Sequence, residues 1–247
     1  MTKTKNPVKI QYHVGMWLSL VERIVRDDEV AGSNPVIPTI FIAYEPEPLG
    51  RVAGIFIFGG KSMGDKCTRC SWVKLDDPIY VKYHDEEWGV PLHDDRALYE
   101  LFILETFQAG LSWATILHKR ENFRRAYEGF IPERVAAFDA AKVEELMQDA
   151  GIVRNRRKIE ASIVNSRIFL DIVREFGSFD RYIWGFTGGK PVRESCELRT
   201  TSPLSDKVSN DLKKRGMRFV GSTCIYSTLQ AIGVLAAHTD ACDWSKS

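Results

Sequence analysis

The sequence lacks a long uninterrupted apolar run and is poor in cysteine. No stretch reaches the roughly 18 consecutive apolar residues that a membrane-spanning helix needs, and MTKTKNPVKI lacks the apolar segment of a secretory signal. Five cysteines in 247 residues are too few for the dense disulfide framework of small secreted domains. We therefore expect a protein of the reducing cytoplasm, without a membrane partner.

The chain also lacks a charge imbalance. Lys and Arg total 34 against 33 acidic residues, which gives a formal net charge of +1. Such a balance neither indicates nor excludes a nucleic-acid partner, because a basic face can be hidden in a neutral average. The hydrophobic share of 44% can build a core for one large domain or two small ones.

The first 62 residues differ from the rest of the chain. Val36–Phe58 mixes prolines with short apolar runs of no sustained period, whereas helical patterns with capping residues dominate after Met63. The nucleotides GGTTCGAATCC, common in the T arm of transfer RNA, would encode Gly32–Pro35. We expect 1–62 to be a mis-called start, with Met63 the true initiator and 63–247 the functional domain. The alternative is a natural, disordered extension.

Apolar residues recur at spacings of three and four from Asp94 onward, and strict alternation is scarce. Capping residues mark where the helices begin and glycines mark where they end. We predict starts at Asp94 or Asp95, Ser112, Pro132, Asp139 and Asn155, ends near Gly110, Gly151 and Gly177, and a pair of helices over Ser205–Arg215 and Thr223–Ala237. The predicted fold class is all-α.

Four residues with zinc-ligand chemistry lie near the two ends of this helical region. Cys70 and His84 precede it, and His238 and Cys242 form a His-x3-Cys pair after it. Two thiolates and two imidazoles would close a tetrahedral shell, and one further helical turn would place His238 and Cys242 on one face. Spacing alone leaves buried cysteines and satisfied histidines as the alternative, and Cys67 could compete as a ligand. A redox role for the Cys-x2-Cys pair lacks the usual strand-helix setting.

An acidic residue interrupts an apolar helical stripe. Glu105 continues the series Leu98, Leu101 and Phe102, which runs on to Ala109. A carboxylate on such a face must be paired, hydrogen-bonded or protonated. From these residues alone, a core acid paired with an arginine is the simpler interpretation, and a functional group is the alternative.

Six short blocks of the sequence resemble the bacterial 3-methyladenine DNA glycosylase I family. The blocks are Arg69–Val73, Tyr83–Pro91, Gln108–Trp113, Asp149–Ile152, Lys213–Gly216 and Phe219–Gly221. The resemblance runs from about Cys67 to Cys242 and implies a helix-hairpin-helix glycosylase. Such an enzyme flips 3-methyladenine out of double-stranded DNA and hydrolyses its bond to the sugar, leaving an abasic site. We expect a monomer.

The resemblance also implies roles for individual residues. The quartet Cys70, His84, His238 and Cys242 would bind one structural Zn²⁺, and Glu105 would accept hydrogen bonds from the exocyclic amine of adenine. Trp113 and Tyr83 would sandwich the flipped base, with Tyr80, Trp88 and Trp72 as neighbouring substrate-binding rings. Leu111 would fill the gap in the duplex, beside Gly110, and Gln108 would contact the orphaned base.

The segment Lys213–Gly221 is typical of a helix, a glycine-bounded turn and a second helix. Backbone N–H groups at the start of the second helix can hold a phosphate, and nearby cations can neutralise others. The predicted DNA-binding residues are Gly110, Arg215, Gly216, Phe219, Gly221 and Ser222, and the basic turn Arg154–Lys158 could share the task.

One departure from the family pattern concerns substrate preference. Thr106 follows Glu105 where members often have glycine, and Phe107 comes next. Thr106 either narrows the pocket or faces away. If both residues spoil the pocket, the chain would be a catalytically silent module that binds damaged DNA. A zinc-dependent hydrolase would need an open position on the metal, which a complete shell of four protein ligands does not leave. Asp240 lies near the predicted metal ligand His238, but the family has no required acid at that place.

Overall fold

The computed structural model describes residues 67–193 and 199–245. The expectations for 1–62 and Met63 lie outside these residues. Within them the chain forms nine helices, α1 Pro78–Glu86, α2 Asp95–Gln108, α3 Trp113–Ala126, α4 Pro132–Ala136, α5 Ala140–Gln148, α6 Arg156–Phe176, α7 Phe179–Gly185, α8 Pro203–Lys214 and α9 Ser222–Ala231. Two short strands, β1 Val192–Arg193 and β2 Leu235–Ala236, pair in parallel. The protein is therefore mostly helical, as predicted.

Across the described ranges, no helix combines the length and the apolar character that crossing a membrane requires.

The side chains that begin the helices are largely those predicted from the sequence. Asp94, Ser112, Asp139 and Asn155 each accept a hydrogen bond from a backbone N–H three residues on. Gly177 ends α6 with a φ of +86°, in the left-handed region that favours glycine. These boundaries depend on local chemistry alone.

Two helix ends differ from the prediction. Helix α5 ends at Gln148 instead of near Gly151, because the Asp149 side chain turns the chain by accepting from the Gly151 N–H at 2.7 Å. Helix α9 ends at Ala231, six residues before the predicted Ala237. The helix ends there because Gly233 packs closely against the backbone of Val90 and Pro91.

Helix α2 is the centre of the fold. It packs against α3, α6, α7 and α9, and nine of its 14 residues are buried. The predicted one-sided stripe is therefore too narrow, since Tyr99, Ile103 and Leu104 on the other faces are buried too. Ala109, placed at the end of that stripe, is exposed.

The two ends of the helical region meet. The N–H of Thr68 donates to Asp243 Oδ2 at 3.1 Å, and the N–H of Asp243 returns a bond to the Thr68 carbonyl at 2.9 Å. Further along, the N–H of Leu92 donates to the carbonyl of Ile232 at 3.0 Å. These contacts bring the four predicted metal ligands to one place.

Gly233 lies where the two ends are closest, and we expect alanine there to be strongly destabilising. Its φ is +75°, and an added Cβ would lie 2.6 Å from the Val90 carbonyl carbon and the Pro91 nitrogen. Gly233→Ala should lower the free energy of unfolding by about 2 kcal/mol or more, measured by urea denaturation. Gly185→Ala is the matched control, because Gly185 ends a helix with open space around it. Equal stability of the two variants would contradict this account.

Candidate active site and metal centre

Glu105 is a buried acid without a counter-ion. Only 4% of the residue is exposed, and its Oε2 has no hydrogen-bond partner in the part of the chain that the structure describes. Within the described ranges no arginine or lysine forms an ion pair with it, so the interpretation as a core acid answering an arginine is wrong. Burial raises the pKa of Glu105 to about 8. The structure places a lone carboxyl in the last turn of its central helix.

Three neutral side chains lie near Glu105. Burial raises the pKa of Tyr80 to about 12 and that of Tyr83 well above its usual value, and the nearby Glu105 charge adds to both shifts. The Cys224 thiol, on α9, donates to the Glu105 backbone carbonyl at 3.5 Å. The sequence prediction did not include Cys224 in the site. The available signal was its position next to an apolar residue, Ile225, within a predicted helix.

Trp113 and Tyr83 come together, but not as a sandwich. Their ring centroids lie 5.3 Å apart with an interplanar angle of 51°. A base stacked between two parallel rings needs roughly 7 Å, which is twice a contact distance. The predicted sandwich is therefore absent from this arrangement of the two rings. Among the described residues, neither Trp113 Nε1 nor Glu105 Oε2 has a hydrogen-bond partner, although both atoms are buried.

Trp72 and Trp88 lie against the Cys/His quartet, although we predicted both as substrate-binding rings. The Trp88 ring is 4.7 Å from that of His238, and the Trp72 ring is 5.3 Å from that of His84. Trp72 also contacts the edge of Tyr80 at 5.7 Å. The two tryptophans thus connect the quartet to the surroundings of Glu105 through a continuous layer of rings.

Thr106 and Phe107 both face the core. The Thr106 hydroxyl donates to the Ile103 carbonyl at 2.7 Å within its own helix. Phe107 is fully buried against Phe123, with ring centroids 4.9 Å apart. The alternative of a spoiled pocket, which relied on these two residues, therefore loses its structural reason.

An exposed apolar side chain follows the end of α2. The helix ends at Gln108, Gly110 turns the chain with a φ of +79°, and the N–H of Leu111 donates back to the Gln108 carbonyl at 2.6 Å. Leu111 is 37% exposed. The turn Gln108–Leu111 therefore presents one apolar side chain to solvent beside the site.

The predicted helix pair α8 and α9 is connected by a tight turn. Gly216 has a φ of +98° and Phe219 one of +56°, in the left-handed region where a phenylalanine is rare. Gly221 precedes α9 without a side-chain cap, and the Ser222 hydroxyl lies 2.8 Å from that of Ser205. The first N–H groups of α9 therefore lack the side-chain partner that most described helices have.

Arg215 does not present a free cation at this turn, contrary to the prediction. Its Nε donates to Asp211 at 2.7 Å and its Nη1 to Glu175 at 2.6 Å. These ion pairs hold the guanidinium against the protein. Arg218 and Arg157 are exposed instead, and they line a surface hollow of about 460 Å³ beside Phe219.

The four predicted metal ligands form one cluster. The donor atoms of Cys70, His84, His238 and Cys242 all lie within 4.8 Å of one another. Cys242 Sγ lies 3.6 Å from His84 Nε2 and 3.4 Å from His238 Nδ1. A tetrahedral zinc site with ordinary Zn–S and Zn–N bonds has sulfur-to-nitrogen edges of about 3.6 Å. The donor set and its spacing therefore fit a zinc ion.

Neighbouring groups select the donor nitrogen of each histidine. His84 Nδ1 lies 2.7 Å from Asp85 Oδ1, which leaves Nε2 for a metal. His238 Nε2 lies 3.2 Å from the Trp88 carbonyl oxygen, which leaves Nδ1. Burial lowers the pKa of His238 to about 4, so its imidazole is neutral and able to donate a lone pair. The predicted helical turn that carries His238 and Cys242 is wrong, because His238 lies in an irregular segment and Cys242 in a bend.

Two other residues near the cluster take no part in it. Cys67 lies outside the four-residue group, so the competition that the sequence left open is decided for Cys70 in this structure. Asp240 is exposed and pairs with Arg193 on the surface.

The chain belongs to the methyladenine glycosylase family, whose model matches residues 72–246. It is 45% identical over 178 residues to DNA-3-methyladenine glycosylase 1 of Escherichia coli, covering 70% of this chain and 95% of that protein. It is 40% identical to DNA-3-methyladenine glycosylase of Haemophilus influenzae, covering 71% and 96%.

Solved structures resemble this fold as well. A crystal structure of 3-methyladenine DNA glycosylase I aligns with a TM-score of 0.69 and 44% identity, over 72% of this chain and 99% of that one. A structure of the Staphylococcus aureus enzyme, described as the structural basis of 3-methyladenine recognition, gives 0.66 and 38%, over 69% and 93%.

The raised pKa of Glu105 predicts how stability depends on pH. Between the ordinary glutamate value of 4.5 and about 8, the folded protein holds a proton on Glu105 that the unfolded chain has lost. Stability from this group therefore falls as pH rises through that window, by about 1.4 kcal/mol per pH unit. Glu105→Gln should gain stability over wild type by that slope, measured by urea unfolding from pH 5 to 8.

Glu100→Gln is the matched control on the same helix. Burial works to raise the pKa of Glu100, but ion pairs with Arg124 and Arg120 outweigh it and leave the pKa lowered. Glu100 is therefore ionised in both states over this window, and Glu100→Gln should differ from wild type by a constant amount. The same slope in both variants would contradict the assignment to Glu105.

Proposed function

We propose that this protein is a DNA-3-methyladenine glycosylase that hydrolyses the N-glycosidic bond of 3-methyladenine in duplex DNA and leaves an abasic site. The proposal depends on one observation: the buried Glu105 carboxyl and the Trp113 indole, both near Tyr83, each have a polar atom without a hydrogen-bond partner among the described residues. Membership of the methyladenine glycosylase family and the printed names of the relatives support it.

A cationic base supplies what Glu105 lacks. Alkylation at N3 gives adenine a positive charge, and its exocyclic amine can donate to Glu105 Oε2. A cation in this dry site would favour ionisation of the carboxyl and so lower its pKa. The base would stack on one face of Trp113, a cation–π contact, with Tyr83 supporting that ring and Tyr80 closing the side next to Glu105.

The bond-breaking step needs no acid on the leaving group. The bond from C1′ of the sugar to N9 of the base breaks, and its electron pair neutralises the positive charge on the base. A water molecule forms the new bond to C1′ and releases its proton to solvent. The protein contributes selection, flipping and a held orientation, which Glu105 and Trp113 provide.

The turn after α2 would fill the gap that flipping leaves in the duplex. Leu111 is exposed and apolar, Gly110 lets the backbone approach closely, and Gln108 can contact the orphaned base. The turn that carries Leu111 directly follows α2, and α2 carries Glu105. The side chain that would enter the duplex and the acid that would recognise the base are therefore connected by one helix.

Helices α8 and α9 would form the helix-hairpin-helix that grips the DNA backbone. The uncapped N–H groups after Gly221 can bind a phosphate, with Ser222, Gly216 and Phe219 shaping the turn. Arg218, with Arg157, would supply the cations that we first assigned to Arg215. We propose that a monomer acts in the cytoplasm, and that 63–247 is the glycosylase domain.

Loss of base release is the direct test of this function. With methylated duplex DNA, wild type should release free 3-methyladenine, detected chromatographically. Glu105→Gln and Trp113→Ala should each slow release by about a hundredfold or more, because each removes a contact made to the base. Glu100→Gln, on the same helix, should stay within a few-fold of wild type.

Three results would contradict the proposal. Folded wild-type protein that binds methylated DNA without releasing base would be the silent damage-binding module. Full rates in both site variants would place the pocket elsewhere. A rate in Glu100→Gln as low as in Glu105→Gln would mean that general damage to α2 explains the loss.

We further propose that the quartet holds one structural Zn²⁺, bound by Cys70, His84, His238 and Cys242. The bound ion would supply two pairs of bonds between the start and the end of the helical region, with no position left for substrate. Burial raises the pKa of Cys70 to about 11, and a neighbouring cation is what would stabilise its thiolate.

Metal removal should loosen the fold before it affects chemistry. Purified protein should contain one zinc per chain by elemental analysis, and chelation should lower Tm by about 10 °C or more. Cys70→Ser should lose the metal, whereas Cys67→Ser should keep it, because Cys67 lies outside the cluster. An active metal-free protein with unchanged Tm would contradict a structural role.

A further inference from the structure

Helix α6 buries polar side chains that the proposed chemistry does not use, and two of them, Lys158 and Asn165, bond to turns outside the helix. Lys158 is 6% exposed and Asn165 is fully buried. They lie seven residues apart, so two helical turns place them on the same face. A lysine is almost never buried unless its ammonium group has a partner, because taking its charge out of water is unfavourable.

Lys158 holds the end of α2. Its Nζ donates to the Phe107 carbonyl at 2.8 Å and to the Ala109 carbonyl at 2.5 Å. The last carbonyls of a helix lack partners within the helix, and the partial negative charge there attracts an ammonium group. Gly110 and Leu111 follow directly, so Lys158 fixes the turn that carries the exposed leucine.

Asn165 holds the turn between α8 and α9. Its Oδ1 accepts from the Arg218 N–H at 2.8 Å, and its Nδ2 donates to the Arg218 carbonyl at 2.9 Å. The Asn165 amide thus forms hydrogen bonds with both the N–H and the carbonyl of Arg218, as a neighbouring strand would. The next residue is Phe219, with its left-handed backbone, and the Ser209 hydroxyl holds the Val220 carbonyl at 2.6 Å.

We propose that Lys158 and Asn165 are positioning residues of the DNA interface. Helix α6 sets the spacing between the turn that carries Leu111 and the phosphate-binding turn at Arg218, so that one duplex meets both. Holding both turns before DNA arrives removes an ordering penalty from binding. The inference depends on the proposed function, since that function makes these turns DNA contacts.

The basic turn Arg154–Lys158 is corrected by the same observation. We predicted Lys158 as one of its solvent cations, yet its ammonium is buried against backbone carbonyls. Burial lowers the pKa of Lys158. Its effect on DNA affinity should therefore be geometric, and the salt dependence of binding should keep the wild-type slope.

The test compares two ligands. Lys158→Met and Asn165→Leu keep the side-chain volume and remove the hydrogen bonds. Affinity for a duplex with an abasic-site analogue is measured by fluorescence anisotropy, and affinity for free 3-methyladenine by tryptophan fluorescence. Each variant should lose duplex affinity by about tenfold, or 1.4 kcal/mol, and keep free-base affinity within about twofold.

Ser166→Ala is the matched control. Ser166 is also buried on α6, but its hydroxyl bonds Tyr99 and the Ser162 carbonyl, away from both turns. It should change neither affinity, even if it lowers Tm. Lys158→Arg, which keeps a cationic donor, should recover part of the duplex affinity.

Asn165→Asp covers the case in which Asn165→Leu fails to fold. A protonated carboxyl can donate to and accept from Arg218 as the amide does, whereas an ionised one can only accept. Its duplex affinity relative to wild type should therefore fall as pH rises. A ratio independent of pH would count against the role assigned to Asn165.

Two outcomes would overturn the inference. Wild-type duplex affinity in both variants would show that the turns need no such support. Equal losses for duplex and free base would make the two residues general supports of the fold. Failure of the proposed function would look different, because wild type would then neither bind nor release 3-methyladenine. The duplex affinities of the variants and of Ser166→Ala could still be compared in that case.

Discussion

An unpaired carboxyl in the middle of the fold is the constraint on which the site depends. Glu105 lies in the last turn of a helix that four others enclose, and burial raises its pKa to about 8. Burial disfavours the ionised carboxylate, so the protonated form predominates at neutral pH. Rigid packing around Glu105 keeps its carboxyl from reaching water or pairing with a lysine. The enclosing helices provide that rigidity, and α6 directs its lysine to the helix carbonyls.

The Cys/His quartet contributes to the same rigidity from the other side. Its ligands come from opposite ends of the described chain, and Trp72 touches both the His84 ring and the Tyr80 ring. One layer of rings thus lies between the Cys/His quartet and the surroundings of Glu105. Displacement of the chain ends would move Tyr80, and with it the surroundings of Glu105. The proposed structural Zn²⁺ would therefore support the surroundings of Glu105 without taking part in the reaction.

Local chemistry made the helix starts predictable from the sequence, whereas side-chain contacts were not. Asp94, Ser112 and Asn155 cap helices through bonds to residues three positions on. The early end of α9 depends on the approach of Val90 to Gly233 across the fold, and the loss of Arg215 as a free cation depends on Glu175 of another helix. Such contacts leave no local pattern. Spacing alone left the Cys/His quartet open, and family resemblance supplied both the ligand set and the role predicted for Glu105.

Charge gives a physical account of selectivity in the proposed reaction. Unmodified adenine is neutral, so it offers Glu105 no compensation for ionising in a dry site and leaves as an unstable anion. The alkylated base carries a positive charge, and the attraction between the two charges is strong because water is excluded. The same charge disappears from the base when the bond breaks, so the attraction to Glu105 weakens as the product forms. Glu105 therefore favours recognition of the damaged base over acceleration of the bond cleavage, and the rate comes from the instability of the alkylated nucleotide once it is flipped and held.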